Sequence, residues 1–212
     1  MPETDRLSRN TEWIDVEFVE RQRTPEVAIQ VGIQFHLAGL SLSNTKQHLE
    51  TLGVERSRTA IYDWVRKAEL QLDSDVDPNQ IAVDETVIRI NNQRHWLFAA
   101  VDPDPDQSLH VRLFQTRTTQ LTLLFLRELR EKQHISDVTF LVDDAHHLKN
   151  ALDRLGLRFR VCRHGNRNAI QRVFRKVKRR TSSFSNMFSN AQLPTAESWL
   201  NAFDVWWNRC QN

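Results

Sequence analysis

Cysteine and long apolar runs are both scarce in this 212-residue chain. Its two cysteines, Cys162 and Cys210, are too few for a disulfide framework or a four-thiolate zinc site. No run approaches the ~18 consecutive apolar residues that a membrane-spanning helix needs. The first ten residues, MPETDRLSRN, also lack the apolar segment of a secretory signal. We therefore expect a cytoplasmic protein with no membrane partner.

Acidic residues are absent from residues 154–196, which hold eleven of the 29 Lys and Arg. The rest of the chain has 18 basic and 27 acidic residues. The net charge of the whole chain is only +2, but it is the sum of a basic block and an acidic remainder. Such a block is typical of binding to a phosphate backbone. The alternative is a solvated basic helix face, but like charges at helical spacing repel each other. We favour nucleic acid as the partner.

Residues 1–24 form a polar arm, and residues 25–70 contain three helical patterns. The first helix is predicted to bury a stripe of Val27, Val31, Phe35 and Ala38. The second and third helices flank a glycine turn, an arrangement typical of a helix-turn-helix DNA-binding domain. The third helix and the residues before it carry side chains that contact phosphates and base edges in a major groove, namely Arg56, Arg58, Thr59, Tyr62 and Arg66. A three-helix interaction module is the alternative.

A polar, proline-interrupted linker at residues 71–80 precedes a change of hydrophobic period. From there the pattern predicts three strands, then a helix, a strand, a helix, a strand and two helices. This order indicates an α/β domain over residues 81–212, with a mixed sheet flanked by helices. The acidic segment 102–106 lacks the glycine and glutamate of a calcium loop, and its prolines predict a hairpin turn. The tryptophans of the last helix are spaced for core packing.

Two aspartates occur where the surrounding residues predict buried strands. Asp84 lies inside IAVDETVIRI, and Asp143 ends TFLVDD. Burying a carboxylate is costly unless another charge compensates it, and a divalent cation does so. At the ends of adjacent strands, the two would together bind a hard ion such as Mg²⁺. Each alone is also compatible with a strand-end cap. The nearby His146 and His147 point apart on a helix, which disfavours a shared metal cluster.

The segments VDETVI, HWLFAAVD, FLVDD and HGNRNAIQRVFRKVKRRTSSF resemble, in this order and spacing, a prokaryotic insertion-sequence transposase of the DDE type. The most similar group is the one built around insertion sequence six, and the resemblance covers about residues 27–208. It implies an RNase H-like, integrase-type catalytic core that cuts and joins DNA with Mg²⁺ or Mn²⁺. Asp84 and Asp143 match the first two catalytic, metal-binding residues. The resemblance also implies a homodimer that pairs two transposon ends and acts on double-stranded target DNA in the nucleoid.

The third catalytic position departs from the family pattern, because Gln171 stands where relatives carry glutamate. An amide oxygen can coordinate Mg²⁺ but brings no charge, so we expect binding of terminal inverted repeats with impaired cleavage. Basic side chains around Gln171 are expected to follow the DNA backbone, namely Arg167, Arg172, Arg175, Lys178, Arg179 and Arg180. Two alternatives remain, a transposase-derived DNA-binding protein without catalysis and an RNase H-like nuclease. The helix-turn-helix pattern disfavours the nuclease.

Overall fold

The computed structural model describes residues 24–68, 77–104, 106–162, 167–183, 188 and 191–210. The predicted arm, apart from its last residue, and most of the predicted linker lie outside these residues. The described residues form two compact units, one of residues 24–68, 180–183 and 194–210 and the other of residues 77–179 and 188–193, with the gaps given above. Within this part of the chain, no helix has both the length and the apolar character to cross a membrane.

The first unit begins with three helices in the predicted places, which are α1 (Glu26–Leu37), α2 (Leu42–Thr51) and α3 (Arg58–Ala68). Serines cap two of them. The main-chain N–H of Asn44 donates to Ser41 Oγ, and that of Ala60 donates to Ser57 Oγ, both at 3.1 Å. Gly53, between α2 and α3, has a φ of +77°, which other residues rarely adopt.

The buried face of α1 differs from the predicted stripe. Val27 is exposed, and the other three residues of the stripe are only half-buried. The buried residues of this helix are Ile29, Gln30, Gly32, Ile33, His36 and Leu37. The prediction was wrong because α1 has two apolar sets at helical spacing, and periodicity alone does not select the one that meets the other helices. Gly32 belongs to the correct set. A Cβ there would lie 3.2 Å from side-chain atoms of Leu49 on α2 and Trp64 on α3.

The last helix, α7 (Leu193–Cys210), groups from residue 194 onwards with the first unit, whereas the sequence predicted that all of residues 81–212 belong to the catalytic domain. Trp199 Nε1 donates a hydrogen bond to the main-chain oxygen of His36 on α1, at 3.4 Å. The rings of Trp199 and Phe203 stack with centroids 5.3 Å apart, and both side chains are buried as predicted. Hydrophobic spacing identifies the apolar face of a helix but not the surface that covers it.

The second unit contains a five-stranded sheet in the order β3-β2-β1-β4-β5. Strands β1, β2 and β3 are antiparallel neighbours, and β4 and β5 run parallel to β1. This is the RNase H-like arrangement, as predicted. The strands are β1 (Gln80–Ile90), β2 (Gln93–Asp102), β3 (Gln107–Phe114), β4 (Thr139–Val142) and β5 (Phe159–Val161). The helices of this part of the chain are α4 (Thr119–Lys132), α5 (His146–Arg154) and α6 (Arg167–Ser183).

The two hairpin turns follow from their residues. Asn91 and Asn92, between β1 and β2, have φ values of 47° and 62°, which a two-residue type I′ turn requires at both positions. Between β2 and β3, the main-chain N–H of Asp104 donates to Asp102 Oδ1 at 3.1 Å. The hairpin predicted for the acidic segment is therefore confirmed.

One face of the sheet carries the main hydrophobic core. The core includes alternate residues of β1, namely Ile81 and Val83, together with Phe98 of β2 and apolar side chains of α4 and α5 such as Phe125 and Leu148. Because successive strand residues point to opposite faces, Ala82 and Asp84 belong to the other face.

A buried histidine on β3 joins this strand to α4. His110 Nε2 lies 3.0 Å from Glu128 Oε2, Lys132 Nζ lies 3.0 Å from His110 Nδ1, and the imidazole stacks on Phe125. Burial lowers the pKa of His110, with the nearby Lys132 acting in the same direction, against the raising effect of Glu128. The neutral ring suits these contacts, since Nε2–H donates to the carboxylate and Nδ1 accepts from the ammonium group.

We expect the unfolding free energy to decrease as the pH falls from 7 to 5. The folded pKa of His110 lies below its ordinary value of 6.5, so the unfolded chain binds a proton that the folded chain excludes. The neutral ring makes its full contribution to the unfolding free energy above pH 6.5. This contribution is lost as the pH falls through the folded pKa. Urea unfolding at several pH values should give a weaker pH dependence for His110→Gln than for the parent. His134→Gln, at an exposed position, is the control, and identical pH profiles for all three proteins would contradict the expectation.

Candidate active site

Asp84 lies in β1, and Asp143 directly follows β4, the parallel neighbour of β1. In the pairing of β1 with β4, Ala82 lies opposite Leu141. If this register is continued for two residues along each chain, Asp84 comes level with Asp143. Neighbouring strands are about 4.8 Å apart, and residues two apart point to the same face. We therefore expect Asp84 and Asp143 to lie close together, on the face of the sheet opposite the main core.

The surroundings of the two carboxylates are ordered by local hydrogen bonds. Asp84 is only 8% exposed, and its Oδ1 accepts a hydrogen bond from the main-chain N–H of Glu85 at 2.9 Å. Asp143 is half-buried, and its Oδ1 accepts from the main-chain N–H of Ala145, also at 2.9 Å. The residue paired with Asp84 on β2 is Ala99, so no bulky side chain opposes the carboxylate across that pair of strands.

Asp144 has a different environment from its neighbour Asp143. Its side chain is 66% exposed, and Oδ1 lies 2.5 Å from Lys149 Nζ. A carboxylate already paired with an ammonium group at the surface is a poor candidate for the site. Asp143 is therefore the better candidate of the two.

Helix α6 carries the third predicted position. Its buried side chains are Ala169, Ile170, Val173, Phe174 and Val177. Gln171 lies on the exposed side of the helix. The next residue, Arg172, donates from Nε to Asp106 Oδ2 at 2.9 Å and so attaches α6 to the turn between β2 and β3.

The chemistry of these residues fits magnesium, with a deficit of charge. Asp84, Asp143 and Gln171 all offer the hard oxygen ligands that Mg²⁺ prefers. Together they carry one negative charge fewer than three carboxylates would. Among the residues that the structure describes, no group of three or more His, Cys, Asp or Glu is arranged to hold a metal ion.

A cluster of polar contacts around the buried Glu85 carboxylate lies behind Asp84 and was not predicted from the sequence; the Arg117 side chain in it is 49% exposed. Glu85 Oε1 lies 3.0 Å from Arg117 Nη1 and 3.3 Å from His147 Nε2, and the Glu85 side chain is only 3% exposed. Burial raises the pKa of Glu85, but His147 and Arg117 together outweigh burial and lower it. The sequence contained one indication of this cluster, which is a second carboxylate inside the same apolar strand. The cluster identifies His147 as a partner of Glu85.

The predicted DNA-contacting residues of the helix-turn-helix have mixed environments. Arg58, Thr59 and Arg66 are exposed on α3, and Tyr62 is half-buried. Arg56 precedes the helix and is held locally. Its Nε donates to Thr24 Oγ1 and its Nη1 donates to the main-chain oxygen of Glu55, both at 2.6 Å.

The predicted DNA-contacting residues of α6 also divide into groups. Arg175, Lys178 and Arg179 are exposed, and Arg172 is engaged with Asp106 as described. The side chains of Arg167 and Arg180 lie outside the described part of the chain.

The family model of the IS240 transposases, described as a DDE domain, matches residues 79–205, which is more than half of the chain. The chain belongs to this family of DDE transposases. The matched segment contains β1, β4 and α6, and therefore all three predicted catalytic positions. The resemblance to an insertion-sequence transposase is confirmed, and the match is consistent with the insertion-sequence-six group.

The transposase is also similar to individual proteins. It is 29% identical over 193 residues to an uncharacterized protein of Methanocaldococcus jannaschii, a match that covers 90% of this chain and 89% of that protein. Similar solved structures include the catalytic core domain of BIV integrase, with 16% identity, a TM-score of 0.42 and coverage of 58% of this chain and 80% of that one. They also include the HTLV-2 integrase catalytic core domain in complex with magnesium, with 12% identity, a TM-score of 0.44 and coverage of 59% and 85%.

Proposed function

We propose that this transposase binds the terminal inverted repeats of its element through the helix-turn-helix and holds Mg²⁺ with Asp84 and Asp143. Gln171 occupies the position of the third ligand. The observation that supports the proposal is the parallel register of β1 and β4, whose continuation by two residues would bring the two aspartates level on one face of the sheet, in a chain of the DDE family.

Bound Mg²⁺ or Mn²⁺ would activate the attacking oxygen and stabilise the leaving oxygen at a phosphodiester bond. The chain's own residues orient the ligands, since main-chain N–H groups hold one oxygen each of Asp84 and Asp143. Gln171 brings a neutral oxygen instead of a charged one. Two unit charges 4 Å apart interact by ~4 kcal/mol at an effective dielectric constant of 20, so the missing carboxylate weakens ion binding considerably. The proposal therefore combines DNA binding with slow cleavage.

The proposed DNA contacts come from two surfaces of the transposase. The exposed Arg58, Thr59 and Arg66 of α3 would contact the inverted repeat, with Tyr62 beside them. The exposed cations of α6 would contact the phosphate backbone near the aspartates. Because transposition joins two ends of one element, we propose a homodimer that pairs them on the chromosome, in the cytoplasmic nucleoid.

Gln171 favours a second candidate function, that of a DNA-binding protein which has lost cleavage altogether. This protein would occupy the same repeats through the same residues. The two functions differ in one result, which is whether the unmodified chain cleaves end DNA in a way that depends on Asp84.

The test uses the full chain and a labelled duplex that carries the inverted repeat flanking its gene. Fluorescence anisotropy should show binding at least about 10-fold tighter than to a scrambled duplex at the same salt concentration. In Mg²⁺, slow cleavage should appear on gels and disappear in Asp84→Asn, with DNA affinity unchanged. Asp153→Asn, at an exposed position on α5, is the matched control and should change neither property.

Each alternative has its own outcome in this experiment. Equal affinity for the two duplexes would contradict the recognition of transposon ends. Cleavage that persists in Asp84→Asn would contradict the proposed metal site. Specific binding with no cleavage in any metal would select the second candidate.

A further inference from the structure

Glu85 follows Asp84 on β1 and points to the opposite face of the sheet. Its partner across the antiparallel pair is Phe98, a member of the main core. The Glu85 side chain is therefore placed among apolar groups, beneath the strand that carries Asp84. A carboxylate in such a position is costly to desolvate.

Two side chains from different segments meet this carboxylate. Arg117, which directly precedes the cap of α4, donates from Nη1 to Glu85 Oε1 at 3.0 Å, and its guanidinium lies 4.3 Å from the centre of the Trp96 ring. His147, in the first turn of α5, places Nε2 3.3 Å from the same oxygen, a close polar contact without hydrogen-bond geometry. Its ring meets Phe98 edge-on with centroids 6.2 Å apart. Glu85 thus connects β1 to the start of two helices.

The contact with His147 completes a connection between the two aspartates. Asp143 Oδ1 accepts a hydrogen bond from the main-chain N–H of Ala145, and α5 begins at the next residue. His147 then returns to Glu85, whose main-chain N–H donates to Asp84 Oδ1. A continuous series of contacts therefore runs from one aspartate to the other behind the sheet.

A contribution to folding stability does not by itself explain why position 85 carries a carboxylate. A buried ion pair is often no more stable than well-packed apolar side chains of similar volume. Glu85 Oε2 is buried with no hydrogen-bond partner among the described residues, which adds to the cost. A leucine would fill this position without either penalty, so the carboxylate contributes chiefly through the geometry that it imposes.

We propose that Glu85 is a positioning residue for the metal site. Through His147 it holds the segment from Asp143 to Ala145 against β1, and it thereby fixes the separation of the Asp84 and Asp143 carboxylates. The inference rests on the proposed metal site. Residues that orient metal ligands from behind in this way typically change metal affinity by about 10- to 100-fold when they are replaced.

The test measures metal affinity, stability and local exchange in the same proteins. All variants carry Gln171→Glu, and Mn²⁺ is the probe, followed by the electron paramagnetic resonance signal of the free ion. In Glu85→Leu and in His147→Ala, the Mn²⁺ dissociation constant should rise about 10-fold or more. The urea midpoint of Glu85→Leu should stay the same or increase. His147→Gln, which keeps a hydrogen-bond donor, should recover most of the affinity. Glu131→Leu, at an exposed position on α4, is the control.

Hydrogen exchange gives a readout that needs no metal. The Ala145 amide, which donates to Asp143, should exchange about 10-fold faster in Glu85→Leu, because the segment opens locally without global unfolding. Unchanged exchange at Ala145, or a loss of Mn²⁺ affinity that only parallels a loss of stability, would overturn the inference. If Glu85→Leu does not fold, the same comparison of Mn²⁺ affinity, stability and Ala145 exchange is made with His147→Ala. Asp84→Asn separates the two proposals, since unchanged Mn²⁺ affinity in that variant overturns the metal site itself.

Discussion

The Gln171→Glu variant should cleave end DNA in Mg²⁺ at least about 100-fold faster than the unmodified transposase. A 100-fold increase corresponds to ~2.7 kcal/mol of barrier, which is within the ~4 kcal/mol that one added charge supplies at 4 Å and an effective dielectric constant of 20. The fold should tolerate the change, since Gln171 is exposed on α6 and glutamate has a helix propensity close to that of glutamine. The effect therefore belongs to the site rather than to stability.

Single-turnover cleavage of a labelled end duplex, measured over a range of Mg²⁺ concentrations, checks this expectation. The apparent Mg²⁺ requirement should shift to lower concentration together with the increase in rate. Gln120→Glu, which adds the same charge at an exposed position of α4, should leave both quantities unchanged. Combining Gln171→Glu with Asp84→Asn should abolish the gain. Equal cleavage by the parent and Gln171→Glu would remove position 171 from the site.

Local patterns were sufficient to predict most of the elements of the RNase H-like unit. Alternation predicted β1 and β2, and the apolar run TFLV predicted the short central strand β4. Asp84 and Asp143 stood out because their charges interrupt these strands. The sequence led us to expect them at the ends of adjacent strands, but it did not identify β4 as the parallel neighbour of β1.

Features that depend on contacts between distant segments were not predictable in the same way. Glu85 follows Asp84 in sequence, but Arg117 and His147, which stabilise its charge, come from elsewhere in the chain. The buried face of α1 was mistaken because two apolar sets compete on one helix. The grouping of α7 with the N-terminal helices depends on contacts such as that of Trp199 with α1, which no local pattern encodes.

Replacing Arg175, Lys178 and Arg179 together with alanine should weaken DNA binding roughly 100-fold near 0.1 M salt. In a plot of log binding constant against log salt concentration, each phosphate contact adds ~0.9 to the magnitude of the slope. Three contacts therefore add ~2.7. All three side chains are exposed on α6, beside the buried stripe that fixes the helix. The change should reduce affinity for the end duplex and for a scrambled duplex by similar factors, because phosphates carry no sequence information.

Anisotropy titrations at several salt concentrations measure this slope. The matched control removes three exposed arginines elsewhere in the same unit, Arg89, Arg127 and Arg130, and should leave the slope within about one contact of the parent value. Arg172→Ala should also have a small effect, because its guanidinium is engaged by Asp106. An equal loss of slope in the α6 triple variant and in the control would mean that the basic block raises affinity only through total charge. A larger loss in the α6 variant would assign the phosphate contacts to that helix, beside the position where Gln171 replaces the family's glutamate.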